Sequence, residues 1–185
     1  MRDIEQYLVK NIGQKRYEHS LRVVETALRL AKLHNIDPEK AKIAGLLHDC
    51  AKIRDRASLL KKASSFDIIN DIVLKENTEL IHAHLGAEVA RREFMVKDED
   101  ILNAIRYHTT GRVAMSGLEK IIFLADYIEP MRNFPGVENV RHLAELDLDL
   151  ALLKAMDQTL VFLISKESLI SKETIEARNY LIMEK

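Results

Sequence analysis

The stretch QKRYEHSLRVVETALRLAKLH, residues 14–34, decides the fold class. Its charged residues Glu18, Arg22, Glu25, Arg29 and Lys32 step by four, three, four and three, which draws one narrow stripe along a helix. Nearly everything else is apolar: Tyr17, Leu21, Val24, Leu28 and Ala31 on one side, Val23, Ala27 and Leu30 on another. A helix apolar over most of its circumference belongs in the middle of a bundle. His19 shares the face of Val23 and Leu30, so it points inward.

The flanking segments read the same way. A short helix from about Ile4 to Asn11 stops near Gly13. Asp37 is an N-cap with Pro38 at the first helical position, opening a helix through Ala41, Ile43, Ala44, Leu46 and Leu47 to His48 and Asp49. Ala57 to Asn77 reads as one or two amphipathic helices broken near Ser64-Ser65. Glu79 to Phe94 is a helix carrying His82, His84 and Gly86. Asp98 caps the next, which ends at Tyr107-His108. Ser116 with Glu119 predicts a capping box for a helix reaching Asp126. Glu129 to Val137 holds Pro130, Pro135 and Gly136, so it reads as a loop. Two last helices run from about Asp149 to Lys166 and from Lys172 to Met183. Strand-like alternation is scarce. The expectation is one all-α domain over residues 1–185, with a motif-bearing core at about 14–130 and C-terminal helices at about 149–183.

Composition narrows the function classes. The chain has 185 residues, 47% hydrophobic and 31% charged, as in an ordinary globular protein. Its 28 basic and 29 acidic residues give a net charge of −1, so no global basic field recruits nucleic acid. The one cysteine, Cys50, forms no internal disulfide and fits a reducing cytoplasm; it reads as a small buried residue. No stretch approaches the length of uncharged apolar chain that spans a membrane, and Met1 to Gln6 lacks the pattern of a secretory signal.

Polar residues then interrupt the apolar runs. Leu46-Leu47-His48-Asp49-Cys50-Ala51-Lys52, Leu80-Ile81-His82-Ala83-His84, Tyr107-His108-Thr109-Thr110-Gly111-Arg112 and Phe123-Leu124-Ala125-Asp126-Tyr127 each put His or Asp inside, or at the end of, a helix. A buried carboxylate needs a cation or strong donors, and a buried imidazole needs a partner for each ring nitrogen. His34 and His142 have ordinary surface explanations. The other five histidines, with Asp49 and Asp126, are explained together by a shared metal ion. Imidazole and carboxylate suit first-row divalent metals from Mn to Zn without choosing among them.

The ordered set His19, His48-Asp49 and Asp126 is similar to the H…HD…D signature of HD-domain metal-dependent phosphohydrolases. The strings His48-Asp49-Cys50-Ala51-Lys52, Ile105-Arg106-Tyr107-His108-Thr109-Thr110-Gly111, Leu124-Ala125-Asp126-Tyr127-Ile128-Glu129-Pro130 and Thr174-Ile175-Glu176-Ala177-Arg178-Asn179 resemble the YqeK family, from Tyr17 to Asn179. The resemblance implies an HD-domain helical bundle that hydrolyses diadenosine tetraphosphate symmetrically to two ADP through a metal-activated water. It implies one or two divalent or trivalent transition-metal ions, iron in that family. It implies His19, His48, Asp49 and Asp126 as core ligands, with His82 and His108 extending the site and Asp49 able to bridge. His84 is the alternate to His82.

A polyphosphate also needs cations away from the metal. Lys52, three residues after Asp49, is the expected catalytic cation, beside Asp49 itself. Arg16, Arg112, Arg132 and Arg178 are further candidates. Thr109 and Gly111 offer a hydroxyl and a backbone N–H to phosphate, and Tyr127 and Phe134 offer faces for a base. Two other readings compete: the same site acting on a mono-, tri- or cyclic dinucleotide, separable by product analysis, and a degenerate module without metal, separable by elemental analysis. The expected partners are nucleotides, with no nucleic acid and no membrane. The leucine-rich stretch Leu146 to Leu163 could serve a homodimer as well as a core.

Overall fold

The structure is a computed structural model that describes residues 4–53, 55–66 and 78–184, with the side chains of residues 78 and 79 left aside. Ten α-helices and no strand occur among the described residues: α1 Ile4–Ile12, α2 Gln14–Leu33, α3 Pro38–Leu47, α4 Arg56–Ser64, α5 Thr78–Glu93, α6 Glu99–Arg106, α7 Gly117–Ile128, α8 Val137–Leu146, α9 Leu148–Ser165 and α10 Lys172–Met183. The all-α expectation holds. The second half of the expected Ala57–Asn77 segment lies outside the described residues.

Local chemistry sets the helix starts. The Asp37 carboxylate accepts the N–H groups of Glu39 and Lys40, with Pro38 next to it. Asp98 does the same for Asp100 and Ile101. Each such cap satisfies helix-end donors that have no partner within the helix, and contributes about 1 kcal/mol. The Ser116 cap forms only half of the expected box. Ser116 Oγ accepts from Glu119 N (3.2 Å), while the Glu119 carboxylate turns to Arg112.

The centre of the bundle is α7, not α2. Ile121, Ile122, Phe123, Leu124 and Ala125 are five successive buried residues, so α7 is enclosed all round. It packs against α2, α3, α6, α8 and α9. The α2 helix is one-sided instead. His19, Val23, Ala27, Leu30 and Ala31 are buried, whereas Leu21 is 39% exposed and Leu33 51%.

One helix escaped the sequence reading. α8 follows directly on Gly136, which takes a left-handed conformation at φ 89° and starts it. Val137, Val140 and Ala144 form its buried face, a pattern hidden by the prolines before it and the charges between.

Candidate metal centre and adjoining cavities

Three helices end at one place. His48 is the C-cap of α3, His108 stands two residues beyond α6, and Asp126 lies in the last turn of α7. The C-terminal end of a helix carries partial negative charge from carbonyls with no partner. Converging ends therefore favour a cation and disfavour the carboxylates Asp49 and Asp126 unless one is supplied. Two of those carbonyls fix the imidazoles. The ring Nδ1 of His48 lies 2.7 Å from Gly45 O, and Nδ1 of His108 lies 2.7 Å from Ile105 O. A carbonyl only accepts, so each Nδ1 carries the proton and each Nε2 turns a lone pair inward.

His19 arrives from α2 and His82 from α5. Gly86, one helical turn after His82, brings α5 close: a Cβ there would stand 3.2 Å from Ile105 Cγ2 and 3.4 Å from His48 O. His82 Nε2 lies 3.0 Å from Asp49 Oδ1 and 3.1 Å from His108 Nε2. On the other side of the same carboxylate, Asp49 Oδ2 lies 3.5 Å from His48 Nε2 and 3.8 Å from His19 Nε2. His19 Nε2 also lies 3.0 Å from Asp126 Oδ1. Asp49 thus stands between two groups of nitrogens, one oxygen to each. His19, His48, Asp49, His82 and His108 are all buried.

These contacts do not satisfy the groups. Among the described residues, His19 Nε2, His48 Nε2, Asp49 Oδ1 and His82 Nδ1 are buried without a hydrogen-bond partner. Oxygen and nitrogen lone pairs face one another, which is costly without a cation between them. Two ligand trios, His19–His48–Asp126 and His48–Asp49–His108, each have donor atoms within 4.8 Å of one another. The donors fit a first-row divalent metal. Burial works to raise the Asp49 carboxyl, but His48, His108 and His82 outweigh it and hold the group well below its usual value. Burial pushes the His108 imidazole down to about 4 against the pull of Asp49, so it is neutral at physiological pH, as a ligand must be.

His82 and His84 have different surroundings: His82 Nε2 meets Asp49 and His108 at 3.0 and 3.1 Å. His84, two residues on, turns away from the cluster and meets the Tyr107 ring edge-on at 6.1 Å.

Two cavities adjoin the cluster. One of about 560 Å³ is lined by Lys15, Arg16, Arg22, Lys52, Arg56 and Arg132, together with His19 and His82. The other, of about 540 Å³, is lined by Phe123, Tyr127, Phe162, Leu163 and Leu169, with Thr109 and Thr159. Lys52, His82 and Arg132 line both. Arg16 lies 3.0 Å from Asp49 Oδ2, Lys52 Nζ 3.9 Å from Asp49 Oδ1, and Arg132 2.5 Å from Asp126 Oδ1. Among the described residues, Thr109 Oγ1 is buried without a hydrogen-bond partner. Tyr127 donates its hydroxyl to Gln158 Oε1 (3.0 Å) and packs edge-on against Phe134.

Three expected substrate contacts sit elsewhere. Arg112 is not on either cavity; it grips the buried Glu119 with two hydrogen bonds of 2.8 and 2.6 Å and lies over the Tyr107 ring. Arg178 pairs with Asp157 at 2.8 Å, also off both linings. Gly111, at φ 67°, is buried where a Cβ would fall 2.4 Å from Met156 Cε, so its place is explained by packing. The sequence reading in turn missed Glu129, which bonds His19, and three cationic cavity residues, Lys15, Arg22 and Arg56. Glu129 carried a usable signal: it is an acid three residues after Asp126, at the end of a buried helix.

Comparison with known proteins agrees with this geometry. The HD domain family profile matches residues 16–131. The chain is 47% identical over 182 residues to a protein of Halalkalibacterium halodurans named bis(5'-nucleosyl)-tetraphosphatase, symmetrical, covering 96% of this chain and 95% of that one. It is 44% identical over 173 residues to the Bacillus subtilis protein of the same name, covering 94% and 92%. A crystal structure from Clostridium acetobutylicum, named as a predicted HD superfamily hydrolase involved in NAD metabolism, superposes with a TM-score of 0.94 at 48% identity over 98% of this chain and 96% of that one. Among the described residues no helix is long and apolar enough to cross a membrane. With its histidines and aspartates gathered at three helix ends, and with these relatives along nearly its whole length, the chain belongs to the HD domain family.

Proposed function

We propose that this chain hydrolyses diadenosine tetraphosphate symmetrically, giving two ADP. The observation that carries the reading is the position of the His/Asp cluster, at the junction of a cationic cavity and an aromatic-lined one that share Lys52, His82 and Arg132. A symmetrical cut requires the central phosphates at the reacting centre and a nucleoside on either side. Relatives named for that activity, similar along nearly the full chain, support the same substrate.

The ligands in this reading are His19, His48, Asp49, His82, His108 and Asp126, for one or two ions, with iron as the metal of choice. A bound divalent metal supplies a Lewis acid for phosphoryl oxygens and lowers the pKa of water. One water is added across the central P–O–P bridge: its oxygen bonds to one central phosphorus and the bridging P–O bond to that phosphorus breaks. The two halves leave as two ADP, with two protons released when both new terminal phosphates are fully ionised. Asp49, with an oxygen toward each group of nitrogens, orients the centre. Lys52 and Arg132, on both cavities, neutralise the charge of the departing ADP, and Arg16, Lys15 and Arg56 hold the outer phosphates. Thr109 and Tyr127 face the nucleoside side. A cytoplasmic setting belongs to this reading, supported by the free, buried Cys50. So does a homodimer, supported by Val161 and Ile164, which stand 68% and 65% exposed near the end of α9.

Anion-exchange chromatography of the products tests the reading. ADP alone is expected; AMP with ATP, or no turnover, refutes it. Lys52→Ala is expected to slow ADP formation by about 10–100-fold with metal content unchanged. Metal loss in that variant would contradict the role given to Lys52.

A further inference from the structure

The histidines at the centre are not held alike. His48 and His108 give their Nδ1 protons to neutral main-chain carbonyls. His19 faces a carboxylate instead: its Nδ1 lies 3.3 Å from Glu129 Oε1. Glu129 is 3% exposed and caps the C-terminal end of α7. Its other oxygen is fixed twice, by Arg22 Nε at 2.8 Å and by the backbone N–H of Met131 at 2.8 Å. The carboxylate therefore cannot turn away from His19 without breaking two good hydrogen bonds.

We infer that Glu129 is a positioning residue for His19, anchored by Arg22: it keeps the proton on Nδ1, aims Nε2 at Asp49 and Asp126, and strengthens Nε2 as a metal donor. The physical basis is general. A carboxylate behind a ligating imidazole fixes its tautomer and orientation and raises its basicity, and removing such a partner costs about 10–100-fold in metal affinity. The arrangement also ties the two halves of the site together. Arg22 lines the cationic cavity, so the guanidinium that braces Glu129 borders the space assigned to the polyphosphate. The inference rests on the metal reading proposed above.

The test uses the full-length protein loaded with Co²⁺ alone, whose visible absorption reports the ligand field. Release to excess chelator is timed for the wild type, Glu129→Gln and Glu129→Ala. Glu129→Ala is expected to release Co²⁺ about 10–100-fold faster, with a shifted absorption band. Glu129→Gln keeps an acceptor oxygen for Nδ1–H and is expected to fall between Ala and wild type. Wild-type release from both variants overturns the inference. Equal acceleration in both also overturns it, since the acceptor oxygen then has no role. Should Glu129→Ala not fold, Glu129→Gln decides alone: faster release supports the inference and wild-type release overturns it. A wild-type chain that takes up no Co²⁺ refutes the metal reading itself, which separates the two failures.

Discussion

Two acids are buried to the same depth in this bundle and face opposite surroundings. Asp49 and Glu119 are each 1% exposed. Glu119 is closed: Arg112 meets both its oxygens at 2.8 and 2.6 Å in a bidentate pair, and Tyr107 covers the guanidinium. Asp49 is open. Arg16 meets its Oδ2 at 3.0 Å, but four histidine nitrogens also crowd it at 3.0–3.8 Å, and among the described residues its Oδ1 has no hydrogen-bond partner. Burial alone therefore does not mark a site. An acid whose charge and lone pairs are matched by protein groups is structural, and one left short by its own protein is built to be completed from outside.

The largest effect that follows is at Asp49. Asp49→Ala removes the one carboxylate that faces both groups of nitrogens, and is expected to lower ADP formation by roughly 10³-fold or more. The folded state should persist, because the Arg16 left without its carboxylate partner is part-exposed and water can reach it. Circular dichroism and product chromatography check both parts. Glu119→Ala is expected to do the reverse. It breaks a matched pair and strands a part-exposed Arg112, at a cost of about 2–3 kcal/mol. That lowers Tm by roughly 4–12 °C, while activity per folded molecule stays near wild type. Loss of activity in a stable Glu119→Ala protein would erase the distinction between the two acids.

The same comparison separates what the sequence made legible from what it did not. Caps were legible because Asp37 and Asp98 act within three residues of themselves. The inward histidines were legible because each stands in an apolar helical run. The role of Arg112 was not. Next to His108 in a glycine-bearing turn it looks like a phosphate ligand, and its true partner, Glu119, had a local explanation as half of a capping box. Glu129 reads as the start of a proline loop because Arg22, which fixes it, lies 107 residues earlier. His82 and His84 could not be ranked from spacing alone. They lie two residues apart and point to different sides of α5, and only the packing of α5 against the His48 turn shows which side meets Asp49 and His108.

That last pair gives the smallest expected effect. Burial and the nearby Arg106 push the His84 imidazole down to about 4, so it is neutral and contributes no charge at physiological pH. His84→Ala is expected to leave metal affinity and turnover within about twofold, with a stability loss on the order of 1 kcal/mol. His82→Ala should weaken metal binding by about tenfold or more. Equilibrium titration with metal distinguishes them, and the opposite ranking would move the centre to the other face of α5.

The central claim is that the imidazoles of His19, His48 and His82 and one oxygen of Asp49, left without hydrogen-bond partners among the described residues, are there for a metal to complete. Elemental analysis by inductively coupled plasma mass spectrometry, on wild-type protein purified without chelator, tests it most directly. The account predicts a first-row transition metal at a stoichiometry of about one or two per chain, and its loss in Asp49→Ala. A wild-type protein that carries no such metal, takes none up on addition and still produces ADP would contradict it.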